Sequence, residues 1–215
     1  MTTAEATWSA LEPPWQRALE LAWESCRAGS LGVGAVVTDP DGSIVATGRN
    51  RLFEPDPGDD HLGGTPIAHA ETNALAKLRW GLDHSGHTVW TTLEPCLLCA
   101  GGIRLAGVGA VRFLAGDPLC DGLDGIPGLS PWAAAGWPTV EGPGSGELSA
   151  FASVLHLHAF AFWLPPDAMP ESYERSLPAQ VRLARELAES QELIALAADG
   201  ANAIDTLGAL WSRLG

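Results

Sequence analysis

Two short stretches of the sequence combine side chains that bind metals with a side chain that transfers protons. His69 and Glu71 lie two positions apart in AHAETNALAKL, and Cys96 and Cys99 lie three apart in PCLLC. One imidazole and two thiolates are typical zinc ligands, and a site with three protein ligands leaves the fourth position open for a reacting molecule. The spacing therefore predicts a catalytic zinc site with His69, Cys96 and Cys99 as its ligands.

Glu71 is the expected proton carrier of this site. Side chains two positions apart on a helix point roughly 200° apart, so His69 and Glu71 reach one metal only from an irregular first turn. Thr65 and Pro66 are good helix-start residues and place the pair in that turn. Zinc lowers the pKa of a bound water towards ~7, and a carboxylate beside it can pass the proton to a substrate nitrogen. We expect Glu71 to lie beside the metal without binding it.

Helical and strand patterns alternate around these residues. A first helix is predicted over 11–28, and a β-hairpin over 33–50, where two β-branched runs flank the turn sequence DPDG. The other predicted elements are helices over 67–80, 96–107, 147–163, 176–198 and 201–214, and strands over 87–93, 109–115 and 139–141. Strands that alternate with helices predict an α/β sheet with parallel pairs.

An acidic loop is predicted over residues 52–66. Its sequence, LFEPDPGDDHLGGTP, has four acids and no basic residue, and its prolines and glycines disfavour helix and strand. Because the loop runs from Asn50 to His69, we expect it to lie over the pocket, where a charge of about −4 would repel phosphate groups. The expected substrate is therefore a free base or a nucleoside, and Phe53 is a candidate to stack on its ring.

The composition is that of a folded and acidic protein. Hydrophobic residues make up 46% of the chain and charged residues 18%, with a formal net charge of −14. Since affinity for nucleic acids depends largely on cationic contacts to phosphates, this balance argues against a DNA or RNA partner. The first residues lack the basic and apolar regions of a signal peptide, and no run reaches the roughly 18 apolar residues of a membrane span. We therefore predict a cytoplasmic protein with no membrane partner.

The combined pattern resembles the cytidine deaminase-like superfamily, in particular its nucleobase and tRNA-adenosine deaminases. The segments that carry the resemblance are VGAVV, GRNR, AHAE, TTLEPCLLCAGGI and AVRFLAGDP, from about residue 33 to 118 and more loosely to 163. The resemblance implies a three-layer α/β/α sandwich with a central five-stranded mixed sheet. It also implies hydrolytic deamination, in which water adds to the amino-bearing carbon of a small heterocycle and ammonia leaves.

The resemblance also implies contacts to the substrate. Asn50 of the GRNR segment is expected to hydrogen-bond the heterocycle, and the backbone N–H of Ala70 to contact a carbonyl or ring nitrogen. Arg49 and Arg51 flank Asn50 and are either phosphate contacts or solvated strand ends. Because the family is often dimeric, we expect a homodimer.

The last fifty residues lie beyond the resemblance. Their two predicted helices have apolar faces that must be buried on the sheet, over the pocket or against a second subunit. We therefore predict a zinc-dependent deaminase domain over 1–164 and a C-terminal helical extension over 165–215, whose apolar faces we expect to cap the pocket or to form an oligomer contact.

Other interpretations of the same residues are a redox-active thiol pair at PCLLC and a structural zinc site completed by His61 or Cys120. A second metal at His156 and His158 is a further alternative. A catalytically silent module that keeps zinc for folding would have no need of Glu71. Relatives that act on tRNA or nucleotides are a further possibility, but the tRNA-acting ones are typically basic with a cationic aromatic tail, whereas this chain ends in LGALWSRLG.

Overall fold

The computed structural model describes residues 3–56, 58–120 and 122–215, and its centre is a five-stranded mixed sheet. The strands are β1 (Gly34–Thr38), β2 (Ile44–Arg49), β3 (Thr88–Leu93), β4 (Ala110–Ala115) and β5 (Thr139–Glu141), in the order β2-β1-β3-β4-β5. β1 pairs antiparallel with β2 and β3, whereas β3, β4 and β5 run parallel. The predicted hairpin and the predicted parallel pairs are confirmed.

Helices cover both faces of the sheet. They are α1 (Thr3–Ser9), α2 (Pro13–Arg27), α3 (Ala70–Leu75), α4 (Leu97–Ala106), α5 (Pro131–Ala134), α6 (Gly146–Trp163), α7 (Glu171–Ser176), α8 (Pro178–Ser190), α9 (Glu192–Ala198) and α10 (Ala203–Leu214), with 3-10 turns at Leu123–Leu129 and Pro166–Ala168. α2 and α6 pack together on the sheet, and α3 packs on β1 and β2 beside α4. The three-layer sandwich is therefore confirmed. None of the helices in the described residues has the length and apolar content that a bilayer span requires.

The middle of the sheet is buried because helices cover it on both sides. Val36, Val37 and Val89 are fully buried. Trp90 of β3 is also buried, and its indole Nε1 donates to the Thr38 hydroxyl at 3.0 Å. The single polar group of this buried indole thus has a partner.

A glycine lets α3 lie directly on strand β2. A Cβ on Gly48 would lie 2.3 Å from the Ala70 carbonyl oxygen and 2.5 Å from the Ala74 nitrogen. A larger residue would therefore push α3 away from the sheet. This close approach brings the start of α3 next to the end of β2, where Asn50 follows.

Helix α3 is shorter than the predicted helix over 67–80. Its first residue is Ala70, and His69 precedes it with extended backbone angles of φ −79° and ψ 162°. The carbonyl of Ala68 accepts a hydrogen bond from the Arg51 N–H at 2.9 Å, which ties this stretch to the chain leaving β2 and delays the helix. The prediction that Thr65 and Pro66 begin the helix is therefore wrong, while Glu71 does lie in the first turn.

The helices after residue 164 pack on the helical layer rather than on the sheet. α8 lies along α6, and α10 contacts α1, α2 and α6. On their apolar faces, Val181, Ala184 and Leu187 are at most 1% exposed, and Leu207 is fully buried. These faces are thus buried within one chain. The division into residues 1–164 and 165–215 stays a prediction.

The predicted helix over 176–198 is two helices. α8 ends at Ser190, Gln191 adopts a left-handed φ of 57°, and α9 begins at Glu192. The break redirects the chain so that Leu193, 2% exposed, packs in the core with residues of α2. Helices α1, α5 and α7 had no counterpart among the predicted elements.

Candidate metal centre and its cavity

Two helix starts carry the predicted ligands. His69 stands immediately before α3, and Cys96 stands immediately before α4 with φ −66° and ψ 172°. Cys99 lies in the first turn of α4. The first N–H groups of a helix have no intrahelical partners, and together with the helix dipole they favour negative thiolates at this position. The fold therefore brings the three side chains to one place from two neighbouring helices.

The spacing of the three donor atoms suits a tetrahedral zinc ion. His69 Nδ1 lies 3.5 Å from Cys96 Sγ and 3.4 Å from Cys99 Sγ, and the two sulfurs are 3.6 Å apart. Zinc bonds of about 2.3 Å to sulfur and about 2.0 Å to nitrogen give tetrahedral edges of roughly 3.5 Å for N to S and roughly 3.8 Å for S to S. Within the described residues, this is the only group of three or more metal-binding side chains, and it contains neither His61 nor Cys120.

The donor set also favours thiolate. The hydrogen bond that Cys96 shares with Cys99 lowers the pKa of the Cys96 thiol to about 4. The same contact, together with burial, raises the pKa of Cys99, and the hydrogen bond with Cys96 raises the pKa of His69. One sulfur thus carries negative charge beside a thiol and an imidazole that both hold their protons more tightly than usual. Zinc binding replaces those protons, since zinc takes thiolate and neutral imidazole as ligands.

Glu71 lies against this cluster and is held from the sheet. Its Oε1 accepts a hydrogen bond from the Thr91 hydroxyl at 3.1 Å, and its Oε2 is 3.3 Å from Cys99 Sγ. The side chain is only 3% exposed, and burial raises the pKa of its carboxyl group. A carboxyl group with a raised pKa is suited to taking up and releasing a proton near neutral pH.

A cavity of about 130 Å³ opens onto the cluster. His69, Cys96, Glu71 and Asn50 all contribute to its wall. The other polar side chains in the wall are Glu94, Asp117, Cys120, His156 and Tyr173, and the apolar ones are Leu31, Val33, Leu93, Leu119 and Phe160. No lysine or arginine of the described chain lines this cavity. Its wall therefore combines apolar surface with carboxylates.

Asn50 is oriented by its own hydrogen bonds. Its Oδ1 accepts from the Ser30 hydroxyl at 2.8 Å and from the Leu52 N–H at 3.0 Å, and the side chain is 2% exposed. Because the amide oxygen is engaged twice, Nδ2 is the group that the amide can offer to a ligand in the cavity. Asn50 thus lies in the cavity wall with His69 and Glu71, and its contact with a substrate stays a prediction.

Ala70 and Phe53 have different surroundings. Ala70 is fully buried as the first residue of α3, so its N–H has no intrahelical partner. Phe53 is 51% exposed, and its ring packs against Trp163 with centroids 6.4 Å apart. The structure does not bring Phe53 to the wall of the cavity.

Two of the four acids of the loop over 52–66 are paired with cations. Glu54 pairs with both Arg49 and Arg51, and Asp60 pairs with Arg51 at 2.8 Å and with Lys77 at 2.7 Å. None of the described loop residues lines the cavity. The expectation of an unpaired charge of about −4 over the pocket is therefore wrong. The two arginines are largely buried in ion pairs with the loop, and neither lines the cavity.

His156 and His158 do not share a metal site. Both lie on α6, and because they are two residues apart, their side chains point to different sides of the helix. His156 Nε2 is 3.1 Å from the Tyr173 hydroxyl, whereas His158 Nδ1 is 3.8 Å from the sulfur of Cys26. Burial lowers the pKa of each imidazole to about 4, so both are neutral at pH 7.

Sequence reasoning missed two residues of the cavity wall, Asp117 and Tyr173. Asp117 follows Gly116 directly after β4, at the same sheet edge at which Pro95 and Cys96 follow β3. Ligand sites collect at the carboxyl ends of parallel strands, so this position was a signal for Asp117. Tyr173 lies in a short helix of the extension, and no sequence pattern connects it to the site.

Comparisons with known proteins agree with this geometry. A family model described as the cytidine and deoxycytidylate deaminase zinc-binding region matches residues 10–115. A tRNA(Ile)-lysidine synthase of Deinococcus radiodurans is 37% identical over 131 residues, which make up 58% of this chain and 21% of that protein. A tRNA-specific adenosine deaminase of Haemophilus influenzae is 36% identical over 103 residues, 46% of this chain and 55% of that protein.

A guanine deaminase of Bacillus subtilis is 33% identical over 105 residues, 46% of this chain and 61% of that protein. The chain thus spans less than two thirds of the length of each of these relatives. A solved structure of a protein in complex with 8-azaguanine has the same fold, with a TM-score of 0.50 at 24% identity, over 69% of this chain and 86% of that chain.

Proposed function

The chain belongs to the cytidine deaminase-like superfamily of zinc-dependent deaminases, and on this premise we propose that it is a hydrolytic aminohydrolase of a small heterocycle. The observation that supports the activity best is the tetrahedral spacing of His69, Cys96 and Cys99 beside the buried carboxyl group of Glu71. The proposed reaction converts an amino group on a guanine- or cytosine-type base or nucleoside to a carbonyl and releases ammonia.

Glu71 moves the protons in this reaction. Bound zinc would lower the pKa of a water and so supply the nucleophile. Glu71 takes one proton from that water and gives it to the ring nitrogen as the water oxygen bonds to the amino-bearing carbon. It then takes the second proton from the hydroxyl of this adduct and gives it to the amino group, so that the carbon–nitrogen bond breaks, the carbonyl forms and ammonia leaves. The Thr91 hydroxyl holds one carboxylate oxygen, which keeps the other oxygen turned towards the ligands.

Asn50 and Ala70 orient the ring in this proposal. The Nδ2 group of Asn50 donates to a carbonyl or ring nitrogen of the substrate, and its direction is set by Ser30 and Leu52. The N–H of Ala70 points from a helix start, where it has no intrahelical acceptor. Two fixed donors hold the amino-bearing carbon in one place, which lowers the entropic cost of the reaction.

We propose a substrate without a phosphate group. The support comes from the cavity wall, in which Glu71, Glu94 and Asp117 are the acidic side chains and which has no lysine or arginine from the described residues. A phosphate dianion would be repelled by these carboxylates and would leave its own charge unpaired. A neutral heterocycle is not repelled by these groups and brings no charge that needs a partner.

The substrate proposal is tested by ammonia release from zinc-loaded protein with matched sets of compounds. Guanine, cytosine and adenine are compared with their nucleosides and with the 5′-monophosphates. We expect kcat/KM for each monophosphate to be at least ~10-fold below that of its nucleoside because of the charge repulsion. A preference for a monophosphate over the matching nucleoside would refute the phosphate-free substrate.

A tRNA-acting deaminase is the second candidate, and the similarity to tRNA-specific adenosine deaminases favours it. The net charge of −14 argues against it, since tRNA binding depends on cations. Binding of an anticodon stem-loop is measured at 50 and 200 mM salt. Tight, salt-sensitive binding together with inosine formation would replace the small-molecule proposal. A zinc-loaded chain that releases no ammonia from any compound would indicate the silent binding module.

We also propose a homodimer, and an exposed apolar surface supports it. Leu97, Leu98 and Leu105 of α4 are 69%, 43% and 70% exposed, and Leu105 lines a surface cavity together with Trp80, which is 98% exposed. Light scattering is expected to give twice the chain mass of 22.5 kDa. Leu105→Asp should lower that mass, whereas Val45→Lys on the edge strand β2 should not. A wild-type monomer at micromolar concentration would contradict the proposal.

A cytoplasmic location is part of the same proposal. All four cysteines are free thiols, and two of them are the proposed zinc ligands. Thiols persist in the reducing compartments of the cell, where zinc sites of this kind stay intact.

A further inference from the structure

A short hydrogen-bonded chain connects the C-terminal extension to the cavity. The Tyr173 hydroxyl lies 2.7 Å from Asp117 Oδ1, and His156 Nε2 lies 3.1 Å from the same hydroxyl oxygen. All three side chains line the cavity that holds Glu71 and the metal ligands. All three are also buried, with exposures of 1% for Tyr173 and 5% for each of the other two.

The number of available protons determines which group donates in each of these two hydrogen bonds. His156 is neutral, because burial lowers its pKa to about 4, and burial raises the pKa of Tyr173, which therefore keeps its proton. The Tyr173 hydroxyl has one proton, and it donates this proton in a hydrogen bond to Asp117 Oδ1, which is the shorter of its two contacts. Its oxygen must then accept from His156, which fixes the Nε2–H tautomer of that ring. Each donor thus points towards Asp117.

The carboxyl group of Asp117 has hydrogen-bond donors around it but, among the described residues, no cation. Besides Tyr173, the Leu119 N–H donates to Oδ1 at 3.0 Å, and no ion pair joins Asp117 to a lysine or arginine of the described residues. A buried carboxylate is tolerated when hydrogen bonds satisfy it, and it has about four sites that accept them. The structure therefore leaves a buried carboxyl group, able to accept further hydrogen bonds, in the wall of the cavity.

The position of Tyr173 depends on the extension. It packs with Leu157 of α6 and with Met169, Val181 and Ala184 of the extension in one apolar cluster. This cluster places the phenol ring against α6 and brings its hydroxyl to the loop after β4. Without α7, the cavity would lose this part of its wall and Asp117 would lose its strongest donor.

We propose that Asp117, positioned by the Tyr173 hydroxyl, recognises an N–H group of the substrate, so that the C-terminal extension determines specificity. This inference rests on the proposed deaminase function and narrows its substrate class. The preferred substrates are amino-heterocycles that carry a further N–H besides the amino group that leaves, as a guanine-type ring does. Asn50 and Asp117 then supply a donor and an acceptor within one cavity.

The first test measures kcat and KM for ammonia release with zinc-loaded wild type, Asp117→Asn and Tyr173→Phe. We expect Asp117→Asn to lower kcat/KM by about 100-fold, because a hydrogen bond to a charged acceptor is lost. Tyr173→Phe keeps the ring but removes the donor, and we expect KM to rise about 10-fold with little change in kcat. Phe162→Leu, on α6 and outside the cavity wall, is the matched control and should keep wild-type values.

A substrate pair separates recognition from a structural role. Guanine is compared with 1-methylguanine, and cytosine with 1-methylcytosine, because each pair differs in one N–H. In wild type, methylation of the N–H that Asp117 binds should lower kcat/KM at least 10-fold, and in Asp117→Asn this difference should largely disappear. An equal methylation effect in both proteins would overturn the proposal, as would unchanged KM in both cavity variants.

Tyr173 also offers a readout that does not depend on activity, since it is the only tyrosine of the chain. Protein labelled with ¹³C at the tyrosine ζ carbon gives one resonance, which reports the hydroxyl of Tyr173. Addition of 8-azaguanine should shift this resonance in wild type and leave it unmoved in Asp117→Asn. No shift in wild type with a bound probe would overturn the link to Asp117, whereas a wild type that releases no ammonia from any compound would refute the deaminase function itself.

Discussion

Replacement of Glu71 by glutamine is expected to lower kcat for ammonia release by about three orders of magnitude while one zinc ion stays bound. The amide has nearly the shape of the carboxyl group and can still accept from the Thr91 hydroxyl. It cannot take a proton from water or deliver one to a ring nitrogen. Because Glu71 is not one of the three donors of the cluster, zinc content should be unchanged. Steady-state kinetics and metal analysis of the same preparation test both statements.

Glu189→Gln provides the control for this change, because it removes an exposed carboxylate on α8 far from the cavity wall. It should keep full activity. Retention of more than a tenth of wild-type kcat in Glu71→Gln would assign the proton transfer to another group. Loss of zinc in that variant would instead make Glu71 part of the metal site.

Replacement of Cys96 by serine is expected to abolish both zinc binding and ammonia release. Two ligands, His69 and Cys99, would remain, and a hydroxyl group does not ionise to replace a thiolate whose pKa is held near 4. Since the cluster joins the start of α3 to the start of α4, loss of the metal should also lower the melting temperature. Metal analysis and thermal unfolding measure the two effects separately.

Cys26→Ala is the matched control, because it removes a buried thiol that lies outside the metal cluster. It should retain one zinc per chain and lose about 1 kcal/mol of stability through the small cavity that it leaves. Full zinc content in Cys96→Ser would require another ligand. Cys120, which lines the same cavity, would then be the residue to replace next.

Local patterns in the sequence were sufficient to predict the metal cluster. The cysteines are three residues apart, so any helix start brings them together, and strand periodicity predicted β3 and β4 on either side. The start of α3 was wrong because a long-range hydrogen bond between Arg51 and Ala68 keeps the chain extended up to His69. Thr65 and Pro66 do have a high intrinsic propensity to start a helix. The hydrogen bond between Arg51 and Ala68 nevertheless has the larger effect on where α3 begins.

The prediction about the charge of the loop over 52–66 was wrong for a different reason. Counting acids along the sequence gave the correct sum, yet Arg49, Arg51 and Lys77 lie outside the counted segment and neutralise two of those acids. The role of the cavity wall could not be predicted either, because Tyr173 meets Asp117 only after the chain has folded back over α6. Contacts of this kind depend on packing, which periodicity does not report.

The place of Tyr173 in the chain has a consequence for the order of events during synthesis. The ribosome makes His69, Cys96 and Cys99 before it makes α6 and α7, and a domain generally folds as one unit. The cavity therefore lacks one wall until α7 has been made. The specificity of the mature protein is set last, when the final helices dock and the single tyrosine closes over the loop after β4.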